Sequence, residues 1–120
     1  MTLAIDKLDR TEAIARLNDR ARQGLDRQAG VVFTTNLLNK FSDGAHANDI
    51  IAQARIMKAM RRCTFSKDSP ERDLSIFEVD GHRIMMKIDY YDPTLEWGSE
   101  DPTDASKTRR IITIMAPEDN

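Results

Sequence analysis

The densest run of chemically capable side chains lies between Lys87 and Lys107, where Asp89, Asp92, Glu96, Glu100, Asp101 and Asp104 follow one another with no Lys or Arg among them. Carboxylates offer the oxygen ligands that hard cations such as Mg²⁺ and Ca²⁺ prefer, and two acids at a fixed separation are what glycoside hydrolysis needs. Neither use is favoured. An EF-hand places ligands at alternate positions around a central glycine and ends on a glutamate, and a loop this polar offers no evident desolvation to raise one carboxyl above its neighbour. What remains is recognition. A negative field draws cations or a basic surface, and Trp97, inside the run, is of the residue type most enriched at the energetic centres of interfaces. A tryptophan usually buries a large area, so Leu95 and Trp97 are expected to fold back and pin the loop to the core, with an exposed indole as the alternative. Tyr90 and Tyr91 alternate across a strand, which sends one into the core and leaves the other beside the loop mouth.

The candidate partner-binding residues are therefore Asp89, Tyr91, Asp92, Glu96, Trp97, Glu100, Asp101 and Asp104. No residue is assigned to catalysis or to a metal, and no cofactor is expected. A second constellation is the basic face formed by Arg55, Lys58 and Arg62 at helical spacing, which could meet phosphates; the net charge of −2 places nucleic-acid binding behind protein binding. The first alternative to protein binding is a small metal-assisted hydrolase or transferase using Asp89, Asp92 and a tyrosine, with nucleic-acid binding through the basic helix face behind it. Arg109 and Arg110 are expected to pair with the acidic loop they close. His82 sits beside a turn and His46 in a loop near Asp43, with nothing to bring them together or to pair either with Cys63. No H-E-x-x-H, G-x-S-x-G or P-loop pattern occurs.

The elements that position these groups follow from periodicity. Asp9 and Glu12 resemble a capping box, and Ile14, Leu17 and Ala21 recur at helical spacing, predicting a helix over 10–23 stopped by Gly24. Val31 to Thr34 reads as a short strand. From Asn48 as N-cap, residues 49–62 form a second helix with Ile50, Ile51, Ala54 and Met57 as its apolar stripe. Asp80-Gly81 between two β-rich runs predicts a two-residue hairpin. In its register Val79 faces His82, Phe77 faces Ile84 and Ser75 faces Met86 on the buried side, and Glu78, Ile76 and Leu74 face Arg83, Met85 and Lys87 on the other. Arg110 to Met115 is apolar on both sides of the pleat, so this strand is paired on both edges or covered on both faces. The fold expected is α+β: a small, mostly antiparallel sheet of about four strands with two helices packed on one face.

At 120 residues the chain supports one domain, 1–120, with 1–8 and 117–120 as loose ends. Residues 1–62 hold eleven Lys and Arg against seven Asp and Glu, whereas 63–120 hold seven against thirteen. Folding that brings the two halves together is the simplest use of that asymmetry. No apolar run is long enough to cross a bilayer and no signal peptide is evident, so a cytoplasmic protein away from membranes is expected. Cys63 is alone, which excludes an internal disulfide and fits a reducing compartment.

The stretch D-Y-Y-D-P-T-L-E-W-G-S-E-D-P-T-D, followed by T-R-R-I-I-T-I-M, resembles an uncharacterised bacterial family, the domain of unknown function numbered thirty-seven sixty-eight. F-E-V-D-G-H-R at Phe77–Arg83 and A-R-L-N-D-R at Ala15–Arg20 also fit its pattern, while residues 36–67 and the tail after Met115 depart from it. The resemblance brings no reaction or cofactor. It implies a small gene of bacterial chromosomes and mobile elements, a setting that favours modulators of other proteins. The reading is therefore a noncatalytic binding module, a regulator or inhibitor in the manner of anti-CRISPR proteins or nucleic-acid mimics, acting on a protein with a basic surface.

Overall fold

A computed structural model describes residues 3–41 and 46–120; Met1, Thr2 and Asp43 lie outside them. The described elements are α1 (Leu3–Arg22), β1 (Gly30–Phe33), α2 (Thr35–Phe41), α3 (His46–Arg62), β2 (Leu74–Val79), β3 (His82–Tyr91), a 3-10 turn at Ala105–Lys107, β4 (Arg109–Met115) and a 3-10 turn at Pro117–Asp119. The architecture is α+β, and the four strands form one sheet in the order β1-β4-β3-β2.

The hairpin is as its sequence dictates. Val79↔His82, Phe77↔Ile84 and Ser75↔Met86 pair in the expected register, and Asp80 and Gly81 both take positive φ, 51° and 83°, as a type I′ turn requires. Alternation then places Val79, Ile84, Met86 and Ile88 on one face, where they join Ile112 and Ile114 of β4 in a single buried cluster. Ala21 of α1, Leu37 of α2 and Ile56 and Met60 of α3 complete it. Each Val, Leu, Ile or Met side chain so withdrawn from water stabilises the fold by about 1.5–3 kcal/mol.

The sheet is mostly antiparallel, as expected: β3 is antiparallel to both neighbours, and β1 alone runs parallel to β4, with Val31↔Ile112 and Phe33↔Ile114 in register. Two expectations need correction. The described residues hold three helices of more than one turn, because α2 begins immediately after β1. Thr34 caps it, its hydroxyl oxygen accepting from Leu37 N–H at 3.3 Å. The helix bounds and faces also shift. Asp9 lies within α1, so it is no N-cap, and Glu12 instead accepts from Arg72. Asn48 likewise lies within α3, which begins at His46. Ile50 and Ile51 are 62% and 50% exposed, and the buried stripe of α3 is Ala52, Ile56 and Met60. These three form one i, i+4, i+8 row along the helix, and Ile56 and Met60 carry it into the core cluster, with Met57 packed partly against it.

Pro117–Asp119 is tied to the start of α2, since the Asp119 carboxylate accepts from Thr34 Oγ1 at 2.7 Å and Asn36 Nδ2 at 3.0 Å.

An acidic loop built on a buried arginine

Residues 92–108, between β3 and β4, form a framework of short polar turns. Tyr91 bridges to Gly98. Asp92 N–H donates to Trp97 O at 2.8 Å and Ser99 N–H to Tyr90 O at 3.0 Å, so the loop first doubles back as a small hairpin on the end of β3. Asp92 Oδ1 sits inside that hairpin and accepts from Thr94 N–H at 3.1 Å, Thr94 Oγ1 at 2.8 Å and Glu96 N–H at 3.2 Å. Leu95 is held at φ 64°, a left-handed conformation costing an L-residue about 1–2 kcal/mol, which these bonds offset.

The same device recurs. Asp101 Oδ1 accepts from Thr103 N–H at 3.1 Å and its hydroxyl at 2.6 Å, and Asp104 Oδ1 accepts from Ser106 N–H at 2.9 Å and its hydroxyl at 2.6 Å. The three turns read D-P-T, D-P-T and D-A-S in the sequence. Asp followed two residues later by Thr or Ser is the signal that could have identified them, because a short carboxylate can satisfy the amide two residues on. Hydrogen bonds from Thr94, Thr103 and Ser106 hold Asp92, Asp101 and Asp104 respectively below the usual carboxylate range. Arg10 of α1 adds a 3.2 Å ion pair to Asp101.

Beneath the loop lies a group whose burial the sequence gives little reason to expect. Arg110 is 1% exposed. Its Nη2 donates to Pro102 O at 2.6 Å, its Nε donates to Asn18 Oδ1 at 2.7 Å, and its guanidinium lies 5.1 Å from the centroid of the Tyr90 ring. Asn18 Nδ2 donates to Tyr90 Oη at 2.8 Å and to Glu71 O at 2.9 Å, and the Tyr90 hydroxyl donates to Glu71 Oε2 at 2.8 Å. Burial, with Glu71 beside it, pushes the Tyr90 phenol far above its ordinary value, and burial lowers Arg110. The network ties α1, the segment before β2, β3, β4 and the loop to one point. Ser99 and Thr108 lock the neck, with Oγ–Oγ1 at 2.7 Å and Thr108 Oγ1 donating to Asp101 O at 2.9 Å.

The predicted site residues thus divide. Asp92, Trp97 and Glu100 come together with Pro93, Gly98, Ser106 and Lys107 around an open cleft of about 410 Å³. Trp97 is 73% exposed and Leu95 is 41% exposed, so the expectation that they fold back onto the core is overturned. The turns carry the anchoring instead, leaving the indole free of it. Glu96 is exposed; Tyr91 ends β3 half-buried, and Asp89 stands on β3 within 3.6 Å of Lys87. Asp101 and Asp104 belong to the turns. Of the two arginines expected to pair with the loop they close, Arg110 does so through the Pro102 carbonyl, whereas Arg109 donates to Gln28 O instead. Arg55, Lys58 and Arg62 are exposed on α3, and Arg55 pairs with Asp80 of the hairpin turn at 3.1 Å. His82 packs its ring 4.7 Å from that of Phe41. Burial pushes the Cys63 thiol up. Among the described residues, no group of three or more His, Cys, Asp or Glu is disposed to hold a metal ion, and no helix is long and apolar enough to cross a membrane.

A family model described as "Protein of unknown function (DUF3768)" matches residues 10–119. The chain belongs to this family. The DUF3768 match takes in Asn18, Tyr90, Arg110 and the whole acidic loop, so the buried network and the surface it supports lie within the family's domain. It also spans residues 36–67 and most of the tail, where little likeness is legible by eye. No curated protein and no solved structure matches the chain.

Proposed function

We propose that this DUF3768 protein is a noncatalytic protein-binding module whose docking surface is the Trp97 cleft with Glu96 and Glu100, and whose partner presents a basic surface. The observation that carries the reading is an indole 73% exposed on a loop whose backbone is fixed by its own hydrogen bonds. A large aromatic group in water forgoes the stabilisation that burial would give, and a fixed frame leaves little loop entropy to lose on binding. The acids speed encounter with a cationic partner, while the ring supplies affinity at the centre of contact. The helices are taken to cover one sheet face, in keeping with their shared core cluster, which leaves the loop at the end of the sheet free to dock.

The finer reading is a mobile-element-linked regulator or inhibitor that meets its target in the cytoplasm and displays carboxylates in place of nucleic-acid phosphates. The outward acids and the lone free cysteine support it. In that form the captured protein is itself a nucleic-acid binder, and capture falls steeply with salt.

Glu96 and Glu100 are the acids to test, because Asp101 and Asp104 are bound into turns whereas the Glu96 and Glu100 carboxylates make no hydrogen bond or ion pair among the described residues. Affinity capture from an extract of the host cells, read by mass spectrometry, is expected to lose its partner when Glu96→Lys and Glu100→Lys are combined, with unfolding by denaturant unchanged. Undiminished capture by the double variant would remove the electrostatic half of the proposal.

A further inference from the structure

The edge of the sheet opposite β1 is open over most of its length. Strand β2 has β3 on one side only, and its hydrogen-bonding phase follows from the register: Ile88 N–H donates to Asp73 O at 2.8 Å, so residues 73, 75, 77 and 79 turn their backbone groups toward β3. Leu74, Ile76 and Glu78 therefore turn theirs outward. Leu74 N–H already donates to Ser69 Oγ at 3.2 Å, leaving Leu74 O and both backbone groups of Ile76 and Glu78 for a new strand. Proline, lysine and a bulge, which often protect an edge, are missing from Leu74–Val79, and Glu78 is its one charge. Instead Leu74 and Ile76 are 41% and 47% exposed, and an open hollow lined by Thr64, Phe65, Ser66, Leu74, Ser75 and Ile76 runs beside them.

We infer that this edge joins a second copy of the chain, β2 pairing antiparallel with β2 of the partner about a two-fold axis through Ile76. Self-pairing is favoured because the strand is self-complementary about that residue. Ile76 meets Ile76 across the axis, and Glu78 meets Leu74 rather than another carboxylate, so no like charges oppose. Glu78 N–H then finds the free Leu74 O, and the Ser69 bond is undisturbed. The side chains agree as well. On one face of each sheet Ile76 lies beside Met85, and Met85 beside Met115; pairing at Ile76 makes that row continuous across the seam. Two four-stranded sheets become one of eight, with both acidic loops left outside the contact.

Sedimentation equilibrium of the full chain over a range of concentrations is expected to show a species of twice the chain mass. Ile76→Lys, which sets two ammonium groups against each other at the axis, is expected to return the mass to one chain, whereas Val32→Lys, at the other end of the sheet, leaves the dimer intact. In the unaltered protein, exchange of the Ile76 and Glu78 amides with deuterium slows as concentration rises. A single-chain mass at every concentration overturns the inference, as does a dimer that survives Ile76→Lys. Concentration-independent exchange at those two amides overturns it even if the lysine variant fails to fold.

Discussion

Replacing Arg110 with methionine is expected to destabilise the protein by about 3 kcal/mol and to loosen the 92–108 loop in the same step. Two effects oppose. Removing a cation that is 1% exposed relieves its desolvation, and buried charges exchanged for apolar groups are sometimes neutral or stabilising for that reason. Methionine, however, leaves Asn18 Oδ1 and Pro102 O without the donors they meet at 2.7 and 2.6 Å. Asn18 is fully buried, so its orphaned oxygen costs about 1–3 kcal/mol, and the partly buried Pro102 oxygen adds a smaller loss. No carboxylate makes an ion pair with Arg110 among the described residues, so no second charge is freed, and the orphaned acceptors decide the sign. The measurement is the denaturant midpoint at unchanged slope. Equal stability of the variant would mean that water or repacking satisfies both acceptors, and that the guanidinium is not what seats the loop.

Trp97→Ala should do the opposite. Its ring makes little contact with the core, so melting is expected to stay within about 0.5 kcal/mol of the parent, while affinity for the captured partner falls by about thirtyfold, the equivalent of a 2 kcal/mol hot spot. Titration of the purified partner with both proteins separates the outcomes. A variant that binds as well as the parent would leave the exposed indole without a role in docking.

The sequence made some parts of this molecule legible and hid others for definite physical reasons. The β2–β3 hairpin could be read residue by residue because Asp80-Gly81 fixes the turn and a period of two leaves no freedom in which side chains share a face. The parallel partner of β1 was not legible, because Val31 and Ile112 are brought together only by everything folded between them. Helix α2 hid behind Thr34, which reads as the end of a β-branched run and acts as a cap. In α3 the adjacent Ile50 and Ile51 drew the stripe to the wrong side; hydropathy alone does not separate them from Ile56, and packing chose Ala52, Ile56 and Met60. In the site, the acidic run and Trp97 stood out by composition, but what orders them did not. Asn18 and Arg110 look like surface residues until the fold brings them to 2.7 Å.

The central claim is that residues 92–108 are as ordered as the strands they join while holding the indole in water. Backbone ¹⁵N relaxation tests it most directly. Heteronuclear NOE values for Asp92 to Thr108 equal to those of β3 and β4, with the Trp97 fluorescence readily quenched by acrylamide, are the result the account predicts. Low values across that segment, or an indole shielded from the quencher, would contradict it.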